Sequence, residues 1–289
     1  MMPWGVENIT LNQRYQKALL AGVDIFSGTA DPTLLLETVR QGLVPETRIN
    51  ESVERLLKEK FALGLFENPY VDTEKAQTIV GSAPFQQKAN LAHRKSIVLL
   101  RNEAKLLPLR PKTKVYFETY YDNGRGTSPS TVHKPTQSTN GLEFVSSKDE
   151  ADVVLLWLVP SSGGLFASSD KPIDLSLSKN RIDVGHVNDL IKSKPTVVAI
   201  NFSSPWVLDE LDGAAAKTIL ATFGTTPDAL LDIVSGAYNP TGKLPFTIPA
   251  SQQAVVDNKS DVPGFEEPKG YALFKFGDGL RYEQASNPK

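Results

Sequence analysis

The side chains that could do chemistry in this sequence are few, and most lack the spacing that common catalytic and metal sites need. The three histidines, His93, His133 and His186, are scattered and show no metal-ligand spacing. The chain has no cysteine, which excludes disulfides, thiol nucleophiles and thiolate metal sites. No Gly-x-Ser-x-Gly elbow supports a serine nucleophile. The remaining candidate is a Ser-Ser-Gly-Gly loop at residues 161–164, which follows the longest apolar run in the chain.

This apolar run, Val153–Val159, predicts the strand that positions the loop. The run is too short to span a membrane and is rich in β-branched and aromatic residue types. A strand with both faces buried needs such a run, as at the centre of a parallel sheet covered by helices. Pro160 cannot continue the ladder of hydrogen bonds. Because ligands of open α/β sheets sit beyond the carboxyl ends of the strands, this loop is the first place to expect a ligand.

Composition indicates a soluble globular protein and excludes several classes of partner. Apolar residues make up 40 % of the chain and charged residues 22 %, so disorder is not expected. A net charge of −2 gives no electrostatic basis for binding nucleic acid or an anionic membrane. No apolar run reaches membrane length, and the beginning of the sequence shows neither the basic region nor the apolar core of a signal peptide. The compartment is not determined by these features.

Strands alternate with helices from residue 114 onward. Strands are predicted at 115–117, 153–159, 196–201 and 218–222, helices at 180–191, 205–211 and 226–235, and a proline-punctuated edge strand at 244–248. This alternation predicts an α/β fold with a mostly parallel sheet and helices on both faces. We expect residues 153–159 at the centre of the sheet with 196–201 beside them, and we expect Trp157 and Trp206 in the core.

The first part of the chain predicts helices around one short strand. Helices are expected at 12–20, from Asp31-Pro32 to Gly42, and at 50–63, where Asn50 would be the cap, with a strand at 23–26. A single strand cannot make a sheet, so its neighbours are expected before Met1 or in another chain. Residues 70–111, with a helix at about 84–96, are interpreted as a crossing between domains.

Several separated segments together resemble glycoside hydrolase family 3, which comprises β-glucosidases and exo-β-glucosidases. They occur in the family's order across nearly the whole chain. The segments are Ala21-Gly22-Val23-Asp24, Arg48-Ile49-Asn50-Glu51-Ser52-Val53, Lys60-Phe61-Ala62-Leu63-Gly64-Leu65-Phe66-Glu67-Asn68-Pro69-Tyr70, Arg94-Lys95-Ser96-Ile97-Val98-Leu99-Leu100-Arg101-Asn102, Leu107-Pro108-Leu109, Asn239-Pro240-Thr241-Gly242-Lys243-Leu244-Pro245-Phe246 and Phe276-Gly277-Asp278-Gly279-Leu280-Arg281-Tyr282.

The resemblance implies a (β/α)8-type barrel followed by an α/β sandwich, with the sugar bound between them. On this basis residues 1–70 are the last helix–strand–helix unit of a truncated barrel. Residues 71–111 are an interdomain linker with a helix, and residues 112–289 are the sandwich domain. The resemblance further implies a retaining mechanism without a cofactor. Two carboxyls lie roughly 5 Å apart in such a mechanism, one attacking the anomeric carbon and the other protonating the leaving oxygen.

The sequence departs from the family's pattern at the catalytic carboxyls. The family's nucleophile motif, of the Ser/Thr-Asp-Trp/Thr type, does not occur ahead of Ala21, and the Lys-His pair of the barrel is also missing. We therefore expect the chain alone to be inactive, with the barrel half either upstream in a longer product of which this chain is a fragment or supplied by a separate chain. Asp24 and Glu67 belong to family motifs and are expected to have structural roles, each as the cap of a helix or loop.

Two carboxyls are candidates for the acid/base that the second domain of the family provides. Many members carry a glutamate in the loop after the second strand, where this chain has only Asp170. Glu118, at the end of the first strand, is the other candidate. Their simpler interpretations are a turn residue for Asp170 and a solvated strand end for Glu118. Ser162, Gly163 and Phe166 are the predicted lining of the sugar cleft, and an ordinary loop is the alternative.

Three hypotheses remain open on this evidence. The first is a β-glucosidase part that acts on a β-glucoside or oligosaccharide and works with a barrel half or as a homo-oligomer. The second is a degenerate, non-catalytic sugar-binding or interaction module. The third, an unrelated nucleotide-binding α/β protein, is disfavoured because Gly124-Arg125-Gly126 lacks the third glycine of a dinucleotide loop. A periplasmic or secreted location is typical of the family.

Overall fold

The computed structural model describes residues 5–103, 105–121, 131–133, 135, 141–161, 173–211, 215–258 and 270–283. Two compact units divide the chain, Met1–Gly81 and Ser82–Lys289. Over its described residues, the first unit contains helices and no strand, whereas the second unit contains the sheet. The predicted boundaries at 70 and 111 stay a prediction.

The first unit is built from α1 (Leu11–Leu20), α2 (Thr33–Arg40), α3 (Glu46–Ala62) and α4 (Thr73–Ile79). Helix α1 begins at a capping box, in which Gln13 N donates to Thr10 Oγ1 and Thr10 N donates to Gln13 Oε1 at 2.9 Å. Helix α1 packs against α2. Its residue Tyr15 is buried and meets Phe26 edge to face, with 4.8 Å between ring centroids.

Two predictions for the first unit are wrong. Residues 23–26 form no strand, because no strand among the described residues of this unit is available to pair with them. Instead Val23 N donates to Ala18 O, and the carbonyl of Val23 accepts from Arg48. Helix α3 begins at Glu46 after Pro45 rather than at Asn50, which lies inside the helix. Proline fixes an extended entry and Glu46 suits the positive end of the helix, so the start moves upstream.

The first unit leaves many apolar side chains exposed. Leu19 is buried within the unit, whereas Val23 and Ile25 are exposed. The other exposed large apolar residues of α1 to α3 and the turn after them are Leu20, Leu36, Val53, Leu57, Phe61, Leu63, Leu65 and Phe66. We call this set, together with Val23 and Ile25, the apolar surface of the first unit. So many exposed apolar side chains are typical of a surface that binds another protein surface.

The second unit is organised around a mostly parallel sheet. It begins with α5 (Ala83–Ser96), followed by β1 (Val98–Asn102), β2 (Lys114–Tyr121), β3 (Thr131–His133), β4 (Glu143–Phe144), β5 (Val153–Val159), α6 (Val184–Ser193), β6 (Thr196–Asn201), β7 (Thr218–Thr222), α7 (Pro227–Val234), β8 (Ile248–Pro249), α8 (Gln252–Asp257) and β9 (Ala272–Phe274). The strand order is β1-β7-β6-β5-β2-β3, and β4 also pairs with β2. Strands β2, β5, β6 and β7 are mutually parallel, while β1 and β3 are antiparallel to their neighbours. The α/β fold with β5 at the centre and β6 beside it is therefore confirmed.

Alternate residues of the central strands enter two separate cores. Leu156 and Val198 pack with the apolar residues of α6 on one face. Leu155 and Val197 pack with α7 on the other face. This alternation follows from the two-residue period of a strand and explains why β5 has to be apolar along nearly its whole length. Trp157 and Trp206 are both buried, as predicted.

Several predicted elements of the second unit have different limits in the structure. The strand predicted at 115–117 is β2, which extends from Lys114 to Tyr121, so Glu118 lies inside it rather than at its end. The helix predicted at 180–191 begins at Val184, because Asp183 and not Asn180 caps it. Residues 205–211 contain only a short 3-10 turn, Asp209–Leu211. The predicted edge strand at 244–248 is replaced by β8, which pairs with β9 in a separate two-stranded sheet.

Two of the family-like segments, around Gly242 and Gly279, pack on β1 and on each other. A Cβ atom at Gly242 would lie 2.4 Å from the carbonyl oxygen of Ile97, and a Cβ at Gly279 would lie 2.4 Å from that of Gly242. Leu280 N donates to Leu99 O at 2.7 Å. The backbones approach so closely that only glycine fits at both positions. Strand β1, which lies within the predicted linker, is the last strand of the sheet and pairs with β7, while Leu280 forms an isolated antiparallel bridge with Leu99.

None of the helices in the described part of the chain has the length and apolar composition needed to cross a membrane.

Candidate active site

The carboxyl ends of four parallel strands lie along one edge of the sheet. Strands β2, β5, β6 and β7 end there at residues 121, 159, 201 and 222. In open α/β sheets this edge is where ligands bind. The loop at 161–164, where a ligand is expected from the sequence, follows β5 directly and therefore begins at this edge.

The polar side chains at this edge are largely used to hold the strands together. Trp157 Nε1 donates to Thr222 Oγ1 at 3.1 Å, and Trp206 Nε1 donates to the carbonyl of Asn201 at 2.9 Å. Asn201 Oδ1 accepts from the backbone N–H of Gly224 at 2.7 Å. Because both indoles are buried and hydrogen-bonded within the protein, neither offers an open ring face to a sugar.

Glu118 is the centre of a polar cluster between β2 and the first turn of α6. Its side chain is 1 % exposed. Oε1 lies 2.7 Å from His186 Nε2, and Oε2 accepts a hydrogen bond from the Tyr116 hydroxyl at 2.8 Å. The side chain of His186 is 40 % exposed, so the imidazole joins the buried carboxylate to solvent. We call Glu118, His186 and Tyr116 the Glu118 cluster.

The local sequence explains how these side chains meet. Tyr116, Glu118 and Tyr120 alternate along β2 and therefore point to the same face, the face that α6 covers. Asp183 caps α6 by accepting from the backbone N–H of His186 at 3.1 Å, which fixes the first turn of the helix. The imidazole is thereby held opposite the middle of β2.

Burial and negative charge suppress the ionisation of the neighbouring tyrosines. Burial, followed by the hydrogen bond to Glu118 and its charge, raises the pKa of Tyr116 to about 12. Burial first, then the charge of Asp183, raises the pKa of Tyr120. Both phenols therefore stay protonated at neutral pH, and Tyr116 can serve as a permanent hydrogen-bond donor to the carboxylate.

The enclosure of Glu118 limits what its carboxylate can do. The simpler interpretation of this residue as a solvated strand end is wrong, because it is buried. Both oxygens already have partners, so the group is suited to fixing α6 on β2. Protonating a glycosidic oxygen would require direct access to the sugar. The assignment of Glu118 as the acid/base stays a prediction.

The other predicted site residues lie outside the described part of the chain. These are Asp170, the second acid/base candidate, and Ser162, Gly163 and Phe166, the predicted lining of the cleft. Gly124-Arg125-Gly126 also lies outside it.

His186 and Tyr116 are not predicted from the sequence as partners of Glu118. The alternation of residues 116, 118 and 120 was the available signal for Tyr116. His186 stands 68 residues from Glu118, and nothing in the local pattern connects them. Within the described residues, no group of three or more His, Asp or Glu side chains could hold a metal ion.

Asp24, from the first family-like segment, is the centre of an ion-pair cluster in the first unit. Its Oδ1 accepts from Ser52 Oγ at 2.7 Å and from Arg55 Nη1 at 2.9 Å, and Arg48 Nη2 lies 3.2 Å away. The Ser52 hydroxyl, followed by Arg48 and Arg55, lowers the pKa of Asp24. These contacts join the turn after α1 to α3, a role that is structural, although Asp24 caps no helix.

Two curated proteins similar to this chain are much longer than it is. "Probable beta-glucosidase C" from Aspergillus oryzae is 38 % identical over 286 residues, which cover 96 % of this chain and 42 % of that protein. "Periplasmic beta-glucosidase/beta-xylosidase" from Dickeya chrysanthemi is 35 % identical over 285 residues, covering 96 % of this chain and 41 % of that protein. The chain thus spans about two fifths of the length of these relatives.

Structural comparison gives the same family of folds. A mutant beta-glucosidase from Listeria innocua in complex with laminaribiose superposes with a TM-score of 0.63 at 21 % identity, covering 94 % of this chain and 44 % of that one. The model of the glycosyl hydrolase family 3 C-terminal domain matches residues 97–282, which include the whole parallel sheet and both glycine-bearing segments. The chain belongs to glycosyl hydrolase family 3.

Proposed function

We propose that this chain supplies the α/β-sandwich part of a retaining β-glucosidase and that turnover requires a nucleophile carried by a barrel. Family membership supports the general function, that of a β-glucosidase-like glycoside hydrolase. The retaining mechanism, the external nucleophile and the inactivity of this chain alone are the proposed part. A β-glucoside or an oligosaccharide is the proposed substrate.

The enclosure of Glu118 is the observation that carries this proposal. A retaining glycosidase needs one carboxylate that can attack the anomeric carbon and a second carboxyl that can protonate the leaving oxygen. Glu118 is buried and both of its oxygens are engaged, so its geometry supports neither role. Asp170 remains as the proposed acid/base, with Ser162, Gly163 and Phe166 as the proposed lining of the cleft. No residue of the given sequence stands in the family's nucleophile motif.

A single acid could not support efficient hydrolysis. General acid catalysis by one residue contributes roughly 10²–10⁴-fold. Enzymes commonly reach about 10⁶-fold or more over the uncatalysed reaction. The difference has to come from covalent catalysis and transition-state binding, which we assign to the barrel.

The apolar surface of the first unit supports the need for a partner. Phe61 and Phe66 contact each other, with 4.5 Å between ring centroids, yet both are more than half exposed. Apolar side chains gain free energy when a neighbouring surface removes them from water. We propose that the strands and helices of a barrel cover this surface, either from a longer polypeptide or from a separate chain.

The test is a long incubation of the purified chain with 4-nitrophenyl β-glucoside. The chain alone should release no nitrophenol above the buffer rate, and Asp170→Asn and Glu118→Gln should behave as the parent does. Adding the separately produced region of the Aspergillus oryzae relative that precedes the matched segment should restore turnover. Asp170→Asn should abolish the restored activity, whereas the exposed control Asp174→Asn should retain it.

Robust hydrolysis by the chain alone would contradict the proposal, above all if Asp170→Asn or Glu118→Gln abolished it. That outcome would mean that both catalytic carboxyls are present in this sequence. Restored activity in the mixture that survives Asp170→Asn would remove Asp170 from the acid/base role while leaving the need for the barrel intact.

A non-catalytic sugar-binding or interaction module is the second candidate. The exposed apolar surface of the first unit favours it, because such a surface binds a partner whether or not the complex is catalytic. The mixing experiment distinguishes the two: complex formation without hydrolysis under any condition would favour the module.

A further inference from the structure

The Glu118 cluster contains an imidazole that no step of the proposed glycosidase function uses. His186 lies in the first turn of α6, and its Nε2 lies 2.7 Å from Glu118 Oε1. The side chain of His186 is partly open to solvent, whereas that of Glu118 is enclosed. A buried carboxylate that binds one nitrogen of an accessible imidazole is the arrangement by which many hydrolases hold a reactive histidine. The cluster therefore has parts of a reactive site in addition to its role in packing.

The second ring nitrogen of His186 faces solvent. Among the described residues, no group forms a hydrogen bond with Nδ1, and Nδ1 is not one of the buried polar atoms without a partner. An ionised carboxylate can only accept hydrogen bonds, so the neutral imidazole donates from Nε2 to Glu118. Its lone pair then lies on Nδ1, because the bond made by one ring nitrogen sets the state of the other. The nitrogen that water can reach is thus the one with a free electron pair.

The charge of Glu118 favours positive charge on this ring. Among the described residues, no lysine or arginine forms an ion pair with Glu118. A lone pair that attacks an electrophile leaves positive charge on the imidazole, and a fixed carboxylate beside the ring stabilises that charge. Burial of Glu118 strengthens the effect, since little water screens it. The Tyr116 hydroxyl donates to Oε2 and holds the carboxylate in position.

The composition of the chain makes this histidine distinct. No cysteine is present, so thiols do not compete as nucleophiles, and the other histidines are His93 and His133. Among the described residues, no carboxylate lies within ion-pair distance of either of these two imidazoles. His93 and His133 therefore serve as internal controls for a histidine without a carboxylate partner.

We propose that His186 is a nucleophile toward small activated carboxylic esters and that Glu118 is its positioning residue. Nδ1 attacks the carbonyl carbon of an aryl ester, the bond from that carbon to the aryl oxygen breaks, and the phenolate leaves. Water then attacks the acyl carbon, the carbon–nitrogen bond breaks, and its electron pair returns to Nδ1. The proton that the water loses neutralises the phenolate, so one ester and one water give one acid and one phenol. This activity is independent of the proposed glycosidase function.

Packing alone is the competing explanation of these contacts. The bond between Glu118 and His186 fastens the first turn of α6 to β2, and such a bond needs no reactivity. A purely structural cluster predicts that His186 reacts as an ordinary imidazole in water does. A reactive cluster predicts a faster reaction that depends on which nitrogen carries the ring proton. The two explanations are therefore separated by a rate and by the tautomer.

The test measures the release of nitrophenol from 4-nitrophenyl acetate by the full chain at about pH 8, above the ordinary imidazole pKa of about 6.5. The second-order rate constant of the parent should exceed that of 4-methylimidazole at the same pH. His186→Gln should remove this excess, whereas His93→Gln and His133→Gln should retain it. Mass spectrometry of the rapidly quenched protein should find an acetyl group on His186.

Glu118→Gln tests the positioning role. Its amide donates to Nε2 and shifts the ring proton to Nδ1, which should lower the rate constant about tenfold or more. The nitrogen-15 chemical shifts of His186 report this change of tautomer, which a loss of packing alone would not produce, and an unfolding curve verifies that the variant is folded. A parent no faster than 4-methylimidazole would overturn the proposal. A rate unchanged in His186→Gln or in Glu118→Gln would overturn it as well.

Discussion

Replacing Glu118 tests whether the buried cluster between β2 and α6 stabilises the second unit. In Glu118→Ala the hydroxyl of Tyr116 and the imidazole of His186 both lose their partner. Hydrogen bonds to a charged group contribute about 1.5–3 kcal/mol each. Because the His186 side chain is 40 % exposed, water replaces much of its lost bond. We therefore expect the free energy of unfolding to fall by about 2–4 kcal/mol, somewhat less than the roughly 3–5 kcal/mol typical of a fully buried pair.

Glu118→Gln provides the graded comparison. The amide keeps the volume, accepts from Tyr116 and can donate to His186 Nε2 if the imidazole proton moves to Nδ1. Neutral hydrogen bonds contribute about 0.5–1.5 kcal/mol, so we expect this variant to lose about 1–2 kcal/mol. Exposed Glu143 in β4 is a matched control, and Glu143→Gln should change stability by less than about 0.5 kcal/mol.

The measurement is guanidinium unfolding of the full chain, followed by the fluorescence of the buried tryptophans Trp157 and Trp206. Both lie in the second unit, and an unchanged dependence on denaturant shows that the variants unfold in the same way. A loss below about 1 kcal/mol in Glu118→Ala would refute the structural role of the cluster. It would also remove the main argument against Glu118 as a catalytic group.

Three further predictions address other parts of the chain. Leu155→Ala should cost about 2–5 kcal/mol in the same unfolding experiment, because the side chain is fully buried at the centre of the sheet, and a loss below about 1 kcal/mol would argue against a central strand. Gly242→Ala should cost about 1–3 kcal/mol, since its Cβ would lie 2.4 Å from the carbonyl oxygen of Ile97; unchanged stability would show that the backbone there relaxes easily. The lowered pKa of Asp24, caused first by the Ser52 hydroxyl, means that its contribution is present above the unfolded pKa of about 4 and is lost as the pH falls through the folded pKa. The hydrogen-exchange protection factors of the α3 amides should therefore fall below about pH 4 in the parent. In Asp24→Asn these protection factors should depend less on pH, and identical pH profiles in the two proteins would contradict this.

The central sheet could be predicted from the sequence because a strand buried on both faces requires an unbroken local run of apolar residues. A strand such as β5 has to be apolar at nearly every position, and this pattern depends on no distant residue. The same holds for α7, whose cap Thr226, Pro227 and apolar stripe agree with one another. Whether a segment is a helix or a strand could thus be predicted wherever its local conformational preference agrees with its tertiary environment.

The Glu118 cluster could not be predicted, because its causes lie far apart along the chain. A glutamate after Val115-Tyr116-Phe117 interrupts the apolar pattern, so a strand ending at Phe117 was expected. The carboxylate is nonetheless buried, since His186, from a helix formed much later in the sequence, supplies its partner. A buried polar group is stable only with such partners, and a local window of sequence does not contain them.

The close contact of Gly242 and Gly279 also affects how homologues of this chain should be classified. Two of the segments by which the chain resembles its family are held together by a steric condition, because carbonyl oxygens lie where a Cβ atom would stand. That condition is needed for folding and not for hydrolysis. A descendant that had lost its catalytic carboxyls would therefore still have to keep both glycines. Searches based on these segments will therefore collect enzymes and inactive relatives alike. The carboxylates themselves have to be inspected before any such sequence is counted as a glycosidase.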